Sequence, residues 1–300
     1  MTAMLPTVDL VVGANPGPIV GILAGVHGDE YEGVLAATHL RRELRSELSC
    51  GEVRIAAPAH PAAWASRTRD SPVDGKNLAR VFPGRPDGCA TEQVAHVLTE
   101  HLIRGADVVI DLHSAGSNFD MPLMCGYHAS DDRRGSESQR FAEAFAACFT
   151  WAHHEVPAPG RSLTAAFHLG IPAIYVESHG GLSIRAEDLL GYLGGVRRVL
   201  HTLGMLADAP AASHPLVRVR GDGDTDAGIV APTDGYLVTH RSAGARVWRG
   251  DLIAEIVQPD GAPAAQILAP HDGFVMLVRR DACVSSGDTM YIVASAGEES

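Results

Sequence analysis

The sequence predicts an α/β fold, a mixed and largely parallel sheet flanked by helices, followed by a smaller all-β domain. Two observations carry this expectation. From about residue 18 to residue 205, short apolar β-branched runs alternate with longer helical patterns, the rhythm of strands joined by crossover helices. Near residue 207 the texture changes to short strand-like runs with Gly, Pro and Asp turns, and an internal repeat begins. The expected boundary divides residues 1–210 from residues 211–300.

Taken in order, Pro18–Ala24 reads as a buried strand, followed by a Gly-rich turn and a helix from Gly33 to about Leu48. Glu52–Ala57 is a second strand and Thr91–Ile103 a helix, with Thr91 as its cap. Ala106–Leu112 is a third strand and Ser138–Phe149 another helix. Pro172–Val176 is a later strand, and Arg185–Leu203 a long final helix. Two irregular stretches, Pro58–Asp87 and Ala115–Arg134, interrupt the rhythm. Loops of that length inside a domain are usually functional.

Ala207–Ser213 reads as a linker. Beyond it, Ile229-Val230-Ala231-Pro232-Thr233-Asp234-Gly235-Tyr236-Leu237 matches Ile267-Leu268-Ala269-Pro270-His271-Asp272-Gly273-Phe274-Val275. Each copy then reaches a Gly-Asp turn, at Gly250-Asp251 and Gly287-Asp288. The tandem resembles the half-motifs of a biotinyl/lipoyl-type sandwich. It lacks a lysine at the tip between the copies, so a structural cap or an oligomer contact is expected instead, and with it a homo-oligomer.

Composition narrows the class. Hydrophobic residues make up 46% and charged residues 20%, ordinary for a globular protein; only Glu298-Glu299-Ser300 reads as disordered. A formal charge of −12 argues against nucleic acid or an anionic membrane as partner. Lys76 is the single lysine among the basic residues. Five scattered cysteines (Cys50, Cys89, Cys125, Cys148, Cys283) show no CxxC spacing and predict buried free thiols in a reducing compartment. Met1–Leu10 lacks the pattern of a signal peptide, and no apolar run is long enough for a membrane span. A cytoplasmic location is expected.

The chemistry concentrates at strand ends. His27 and Glu30 lie where the first strand gives way to a helix, and a His and a carboxylate three apart on such a turn can reach one ion. That spacing is weak alone. His113 follows the third strand and Glu177 follows the strand Pro172–Val176, so all four reach the carboxyl edge of the sheet, where functional crevices of open α/β sheets form. Two imidazoles and a carboxylate leave a position open on zinc for water or substrate. Zinc makes hydroxide available near neutral pH and polarises a carbonyl, while Glu177 would pass a proton from water to a departing amine. Other histidines compete as ligands, namely His60, His128, His153, His154, His168 and, adjoining Glu177, His179. Asp111 is either a partner behind His113 or a strand-end residue bonded to backbone.

Four motifs in this order carry a family resemblance: GVHGDEYEG at 25–33, RDSPVDGKNLARVFPG at 69–84, DLHSAG at 111–116 and IPAIYVESHGG at 171–181. Through most of residues 15–205 the chain resembles the succinylglutamate desuccinylase/aspartoacylase family, a branch of the zinc carboxypeptidase-like fold. The resemblance implies one zinc ion held by His27, Glu30 and His113, and Glu177 as general base and acid. It also implies Arg69 as the group polarising the scissile carbonyl and Arg80 as the partner of a substrate carboxylate. A guanidinium fork suits both tasks. The family commonly reads Asn-Leu-Asn-Arg or Asp-Leu-Asn-Arg where this chain has Asn77-Leu78-Ala79-Arg80. Ala79 removes an amide that usually helps bind the carboxylate, a task that then falls to Asn77 or marks a different substrate end.

The sequence thus predicts a zinc-dependent amidohydrolase that deacylates a small N-acyl amino acid or N-acyl amine. The alternatives are a carboxypeptidase-like hydrolase of short peptides and a metal-binding scaffold without activity.

Overall fold

The structure, a computed structural model, describes residues 4–155, 158–212, 216–224 and 227–297. The tail read as disordered and Ser213 of the linker lie outside them. In chain order the first elements are β1 (Asp9–Val12), β2 (Asn15–Ala24), α1 (Glu32–Glu47), β3 (Cys50–Ala56), α2 (Pro61–Ser66) and α3 (Ala90–Leu98). A π-helical turn over Thr99–Ile103 extends α3. There follow β4 (Val108–Leu112), β5 (Phe119–Asp120), β6 (Met124–His128), α4 (Arg133–Phe145), β7 (Phe149–His153), α5 (Ser162–His168), β8 (Ala173–Glu177) and α6 (Ala186–Thr202). The C-terminal strands are β9 (Val217–Arg220), β10 (Ile229–Val230), β11 (Gly235–Thr239), β12 (Arg246–Val247), β13 (Leu252–Val257), β14 (Pro263–Leu268), β15 (Gly273–Arg279), β16 (Cys283–Val284) and β17 (Thr289–Ala296).

The main sheet runs β1-β3-β2-β4-β8-β6-β7-β9-β17-β15-β12. Strands β3, β2, β4 and β8 are parallel neighbours, β6 is antiparallel to β8, and β6, β7 and β9 are again parallel. The expected mixed, largely parallel sheet is what forms. Because side chains alternate along a strand, Val20, Ile22 and Ala24 of β2 pack with α1, α4 and α6 on one face, around Leu40, Phe141, Phe145 and Val196. Leu23 of β2 and Val109 of β4 face the other way, against α3 and α5. Asp111, Tyr175 and Glu177, in step with these, are delivered to the α5 side.

Several boundaries differ from the expectation. The helix read over Ser138–Phe149 runs over Arg133–Phe145, because Asp132 caps it by accepting from the Gly135 N–H at 3.0 Å and Ala146 ends it in the left-handed conformation. Residues 149–153 belong instead to β7. Thr91 is not the cap of α3. That position is Cys89, whose N–H donates to Glu92 at 2.9 Å, while Thr91 gives its N–H and hydroxyl to Asp74. All five thiols are free, but only Cys125 is fully buried and Cys283 is exposed.

Beyond residue 212, β9 returns beside β7 and β17 beside β9, so the C-terminal strands continue the main sheet. A second sheet, β14-β13-β11-β16, lies against this extension. Each copy of the sequence repeat gives one strand to each sheet: β10 and β11 in the first, β15 and β14 in the second. The matched residues Ala231 and Ala269, and Leu237 and Val275, are buried together between them.

Candidate metal centre and active site

The loop 25–31 is pressed onto the sheet by its glycines. A Cβ on Gly28 would sit 2.0 Å from the Ala63 carbonyl oxygen, so only glycine lets the loop lie against α2. A Cβ on Gly33 would meet the Leu112 carbonyl at 2.7 Å. Helix α1 therefore starts directly over the end of β4, and Glu30 is brought beside His113. The His113 backbone is pinned in turn: its N–H donates to Val176 at 2.9 Å, and its carbonyl accepts from the Tyr192 hydroxyl.

Glu30 stands between two imidazoles. Its Oε1 is 2.6 Å from His27 Nδ1 and its Oε2 is 2.9 Å from His113 Nδ1. The Ser114 N–H adds a bond to Oε2 at 3.2 Å. The opposite ring nitrogens are also held: His27 Nε2 lies 3.1 Å from Asn77 Oδ1, and His113 Nε2 lies 3.1 Å from Asp111 Oδ2. With acceptors holding hydrogens at both Nε2 positions, a bound metal ion would take the Nδ1 lone pairs of both rings, in place of the hydrogens that bridge them to Glu30. Asp111 itself accepts from the Ser162 hydroxyl at the start of α5.

Charge in this knot is strongly coupled. Burial alone would raise Glu30, but His27 and His113 outweigh it and hold the carboxyl well below its ordinary range. Burial likewise opposes protonation of His113, yet Asp111 and Glu30 raise it well above a usual imidazole. His27 is lowered, chiefly by burial. A positive charge is thus stabilised between the carboxylates. His27, Glu30 and His113 form the one group of such side chains, among the described residues, whose ligand atoms lie within 4.8 Å of one another. Both the donor chemistry and the closeness suit one divalent ion.

A cavity of about 230 Å³ opens beside this group, lined by His27, His113, Arg69, Arg80 and Glu177 among others. Glu177 Oε2 is buried without a hydrogen-bond partner. Burial first, and the charge of Glu30 second, push its carboxyl up to about 8. Arg69 reaches over Glu30 Oε1 at 3.3 Å, while Arg80 lines the cavity after Ala79 in a short 3-10 turn. Asn77 is not on the cavity wall. Its Oδ1 accepts from the Ala79 N–H at 2.8 Å as well as from His27, so its side chain shapes the turn and orients an imidazole.

None of the competing histidines joins the metal group, although His128 and His153 line the same cavity. His60 accepts from the Ala63 N–H at the start of α2. His179 pairs with Asp120 at 2.7 Å and Arg280. Sequence reasoning did not single out Arg161, Tyr175, Glu155, Asp222 and Asp224 on the cavity wall. Arg161 pairs with Asp224 at 2.8 Å, and His153, weighed only as a ligand, accepts from Tyr175. For Tyr175 a signal existed, since it stands two residues before Glu177 on one strand and must share its face. The others meet only through tertiary contacts.

Comparison with known proteins places this geometry in a class. The succinylglutamate desuccinylase/aspartoacylase catalytic domain matches residues 16–203. The chain is 32% identical over 295 residues to the N-alpha-acetyl-L-2,4-diaminobutyric acid deacetylase of Halomonas elongata, covering 96% of this chain and 85% of that protein. Among solved structures, a succinylglutamate desuccinylase from Silicibacter sp. TM1040 superposes with a TM-score of 0.88 at 27% identity, over 97% of this chain and 88% of that one. The product-bound ectoine utilization protein EutE (DoeB) from Ruegeria pomeroyi gives 0.87 at 27% identity, over 97% and 93%. The chain belongs to the succinylglutamate desuccinylase/aspartoacylase family. Family and relative together put it among the hydrolases of amide bonds.

Proposed function

We propose that the chain is a zinc-dependent deacylase that hydrolyses the amide bond of a small, carboxylate-bearing N-acyl amino acid. The observation that carries this reading is the pairing of two imidazoles on one buried carboxylate, with Glu177 Oε2 buried and without a hydrogen-bond partner at the same cavity. His27, Glu30 and His113 would hold the ion. When bound, it supplies Lewis acidity, polarising a carbonyl and lowering the pKa of water.

The remaining work belongs to side chains. Glu177, raised to about 8 by burial and the charge of Glu30, would act as the carboxylate once a bound cation offsets that charge, taking a proton from the attacking water and returning it to the departing amine nitrogen. Arg69, 3.3 Å from Glu30 Oε1, would stabilise charge developing on the carbonyl oxygen. Arg80 offers a fork to a substrate carboxylate. Asn77 acts behind His27 rather than on the substrate, and Asp111 acts behind His113. The deacetylase relative from Halomonas elongata makes N-acetylated amino acids the first substrates to try.

The test is a panel of acetyl, succinyl and formyl amino acids, with dipeptides beside them, on zinc-loaded protein. Glu177→Gln should lower kcat by a factor on the order of 10² to 10⁴ while the protein still binds about one zinc per chain. Full activity in that variant would remove Glu177 from the mechanism. Preference for dipeptides would favour a carboxypeptidase-like reading, and failure to bind metal would favour a scaffold.

A further inference from the structure

The cavity continues past Glu177 to side chains that hydrolysis of the amide does not use. Tyr175 and Glu177 leave the same face of β8, with Cα atoms about 7 Å apart by the rise of a strand. The Tyr175 ring lies across β6, where its register partner is Gly126. A Cβ on Gly126 would stand 2.1 Å from the ring's Cε1. From the other side, a Cβ on Gly223 would stand 2.5 Å from His153 Cε1 and 3.1 Å from the Tyr175 hydroxyl. The Tyr175–His153 pair is therefore seated between two positions that only glycine fits.

Its hydrogen bonds have one consistent direction. His153 Nδ1 is 2.8 Å from the Gly221 carbonyl oxygen, which can only accept, so Nδ1 carries the hydrogen. Burial pushes this imidazole down to about 4, leaving it neutral near pH 7 with a lone pair on Nε2. The Tyr175 hydroxyl donates to that nitrogen at 2.8 Å. The phenol's one hydrogen is thereby engaged, and its oxygen is left to accept from whatever enters the cavity. Asp222 shares the wall and lies close enough for its charge to act on both His153 and Tyr175. One of its oxygens, Oδ1, accepts from the Asp224 N–H at 2.8 Å. The positive charge nearby, Arg161, is matched by Asp224.

We propose that Tyr175 and Asp222 form a subsite for the ammonium group on the side chain of a diamino N-acyl substrate, with His153 as the positioning residue that keeps the phenol an acceptor. The proposal rests on the deacylase reading of the adjoining site. An acceptor oxygen beside a carboxylate recognises a hydrogen-bond donor that carries positive charge, and gives an aliphatic or acidic side chain no partner.

The experiment uses the full-length, zinc-loaded enzyme with Nα-acetyl-2,4-diaminobutyrate and its neutral isostere Nα-acetylnorvaline. It compares wild type with Tyr175→Phe, Asp222→Asn and His153→Phe, and measures calorimetric binding of free 2,4-diaminobutyrate and norvaline alongside. Wild type should prefer the diamino substrate at least tenfold in kcat/KM. That ratio should fall at least tenfold in Tyr175→Phe and in Asp222→Asn, through KM rather than kcat, with a parallel loss of diaminobutyrate binding. His153→Phe should raise KM for the diamino substrate more than for the neutral one; an equal rise in both would mark His153 as structural. A preference unchanged in both Tyr175→Phe and Asp222→Asn overturns the subsite while leaving the deacylase reading intact. Loss of diaminobutyrate binding in those variants, from a wild type that hydrolyses neither substrate, supports the subsite and sinks the deacylase reading.

Discussion

Asp111 and His113, two residues apart across the end of β4, meet side chain to side chain: Oδ2 of the aspartate is 3.1 Å from Nε2 of the imidazole. The contact fixes which nitrogen of His113 is turned to Glu30. It also explains why a charged residue is tolerated at 1% exposure, since its oxygen is shared between an imidazole and the Ser162 hydroxyl. Asp111→Asn keeps the shape but weakens the hold on His113. Zinc affinity, measured by competition with a chelating dye, should fall by about 10 to 100-fold. Unchanged affinity would mean the orientation of His113 is set elsewhere.

Asn77 holds the matching position behind His27. Asn77→Ala removes both the acceptor at His27 Nε2 and the cap of the Leu78–Arg80 turn. The expected result is a drop in zinc affinity of about tenfold together with a weaker grip on substrate through Arg80. If Asn77 bound substrate directly, KM would rise and zinc affinity would stay put.

Gly28→Ala should be among the costliest single-methyl substitutions in the chain. The added carbon meets a backbone carbonyl, which cannot rotate aside, at 2.0 Å. Overpacking of this kind costs about 1–3 kcal/mol, to be read as a lowered denaturant midpoint with an unchanged m-value. Gly75→Ala meets no heavy atom within 4 Å, but its φ of +70° strains an L-residue, so it tests conformation without collision.

Acid should destabilise the protein partly through His153. Its folded-state pKa of about 4 lies below the ordinary 6.5. Between those values the unfolded chain binds a proton that the folded chain refuses, so stability is full above about pH 6.5 and falls as pH drops toward 4. Denaturant midpoints of wild type and His153→Phe at pH 7, 5.5 and 4.5 should converge in that window. Parallel curves would show that the imidazole is protonated in the fold.

Strands β2, β4 and β8 were legible because both faces are covered, so their sequences are nearly continuous apolar runs. Strand β6, Met124–His128, was not legible: Gly126 sits at its middle, and what holds it is pairing with β7 and β8. The start of α4 was hidden because its first turn is polar and its signal is the Asp132 cap. In the site, His27, Glu30, His113 and Glu177 could be found because strand ends deliver them to one edge. Arg161, Asp222 and Asp224 could not, because they approach from the far end of the sheet through contacts that no local spacing encodes.

The return of β17 to β9 ties the candidate site to the order of synthesis. The wall formed by Asp222–Asp224 follows β9, and β9 gains its second neighbour only from residues 295 and 296. A ribosome that has released the entire α/β layer has still not delivered the strand that closes this edge. Nonsense mutations or proteolytic trimming ahead of Thr289 would thus bare β9 on one side and unseat a wall of the cavity beside Glu177 some seventy residues earlier in the chain.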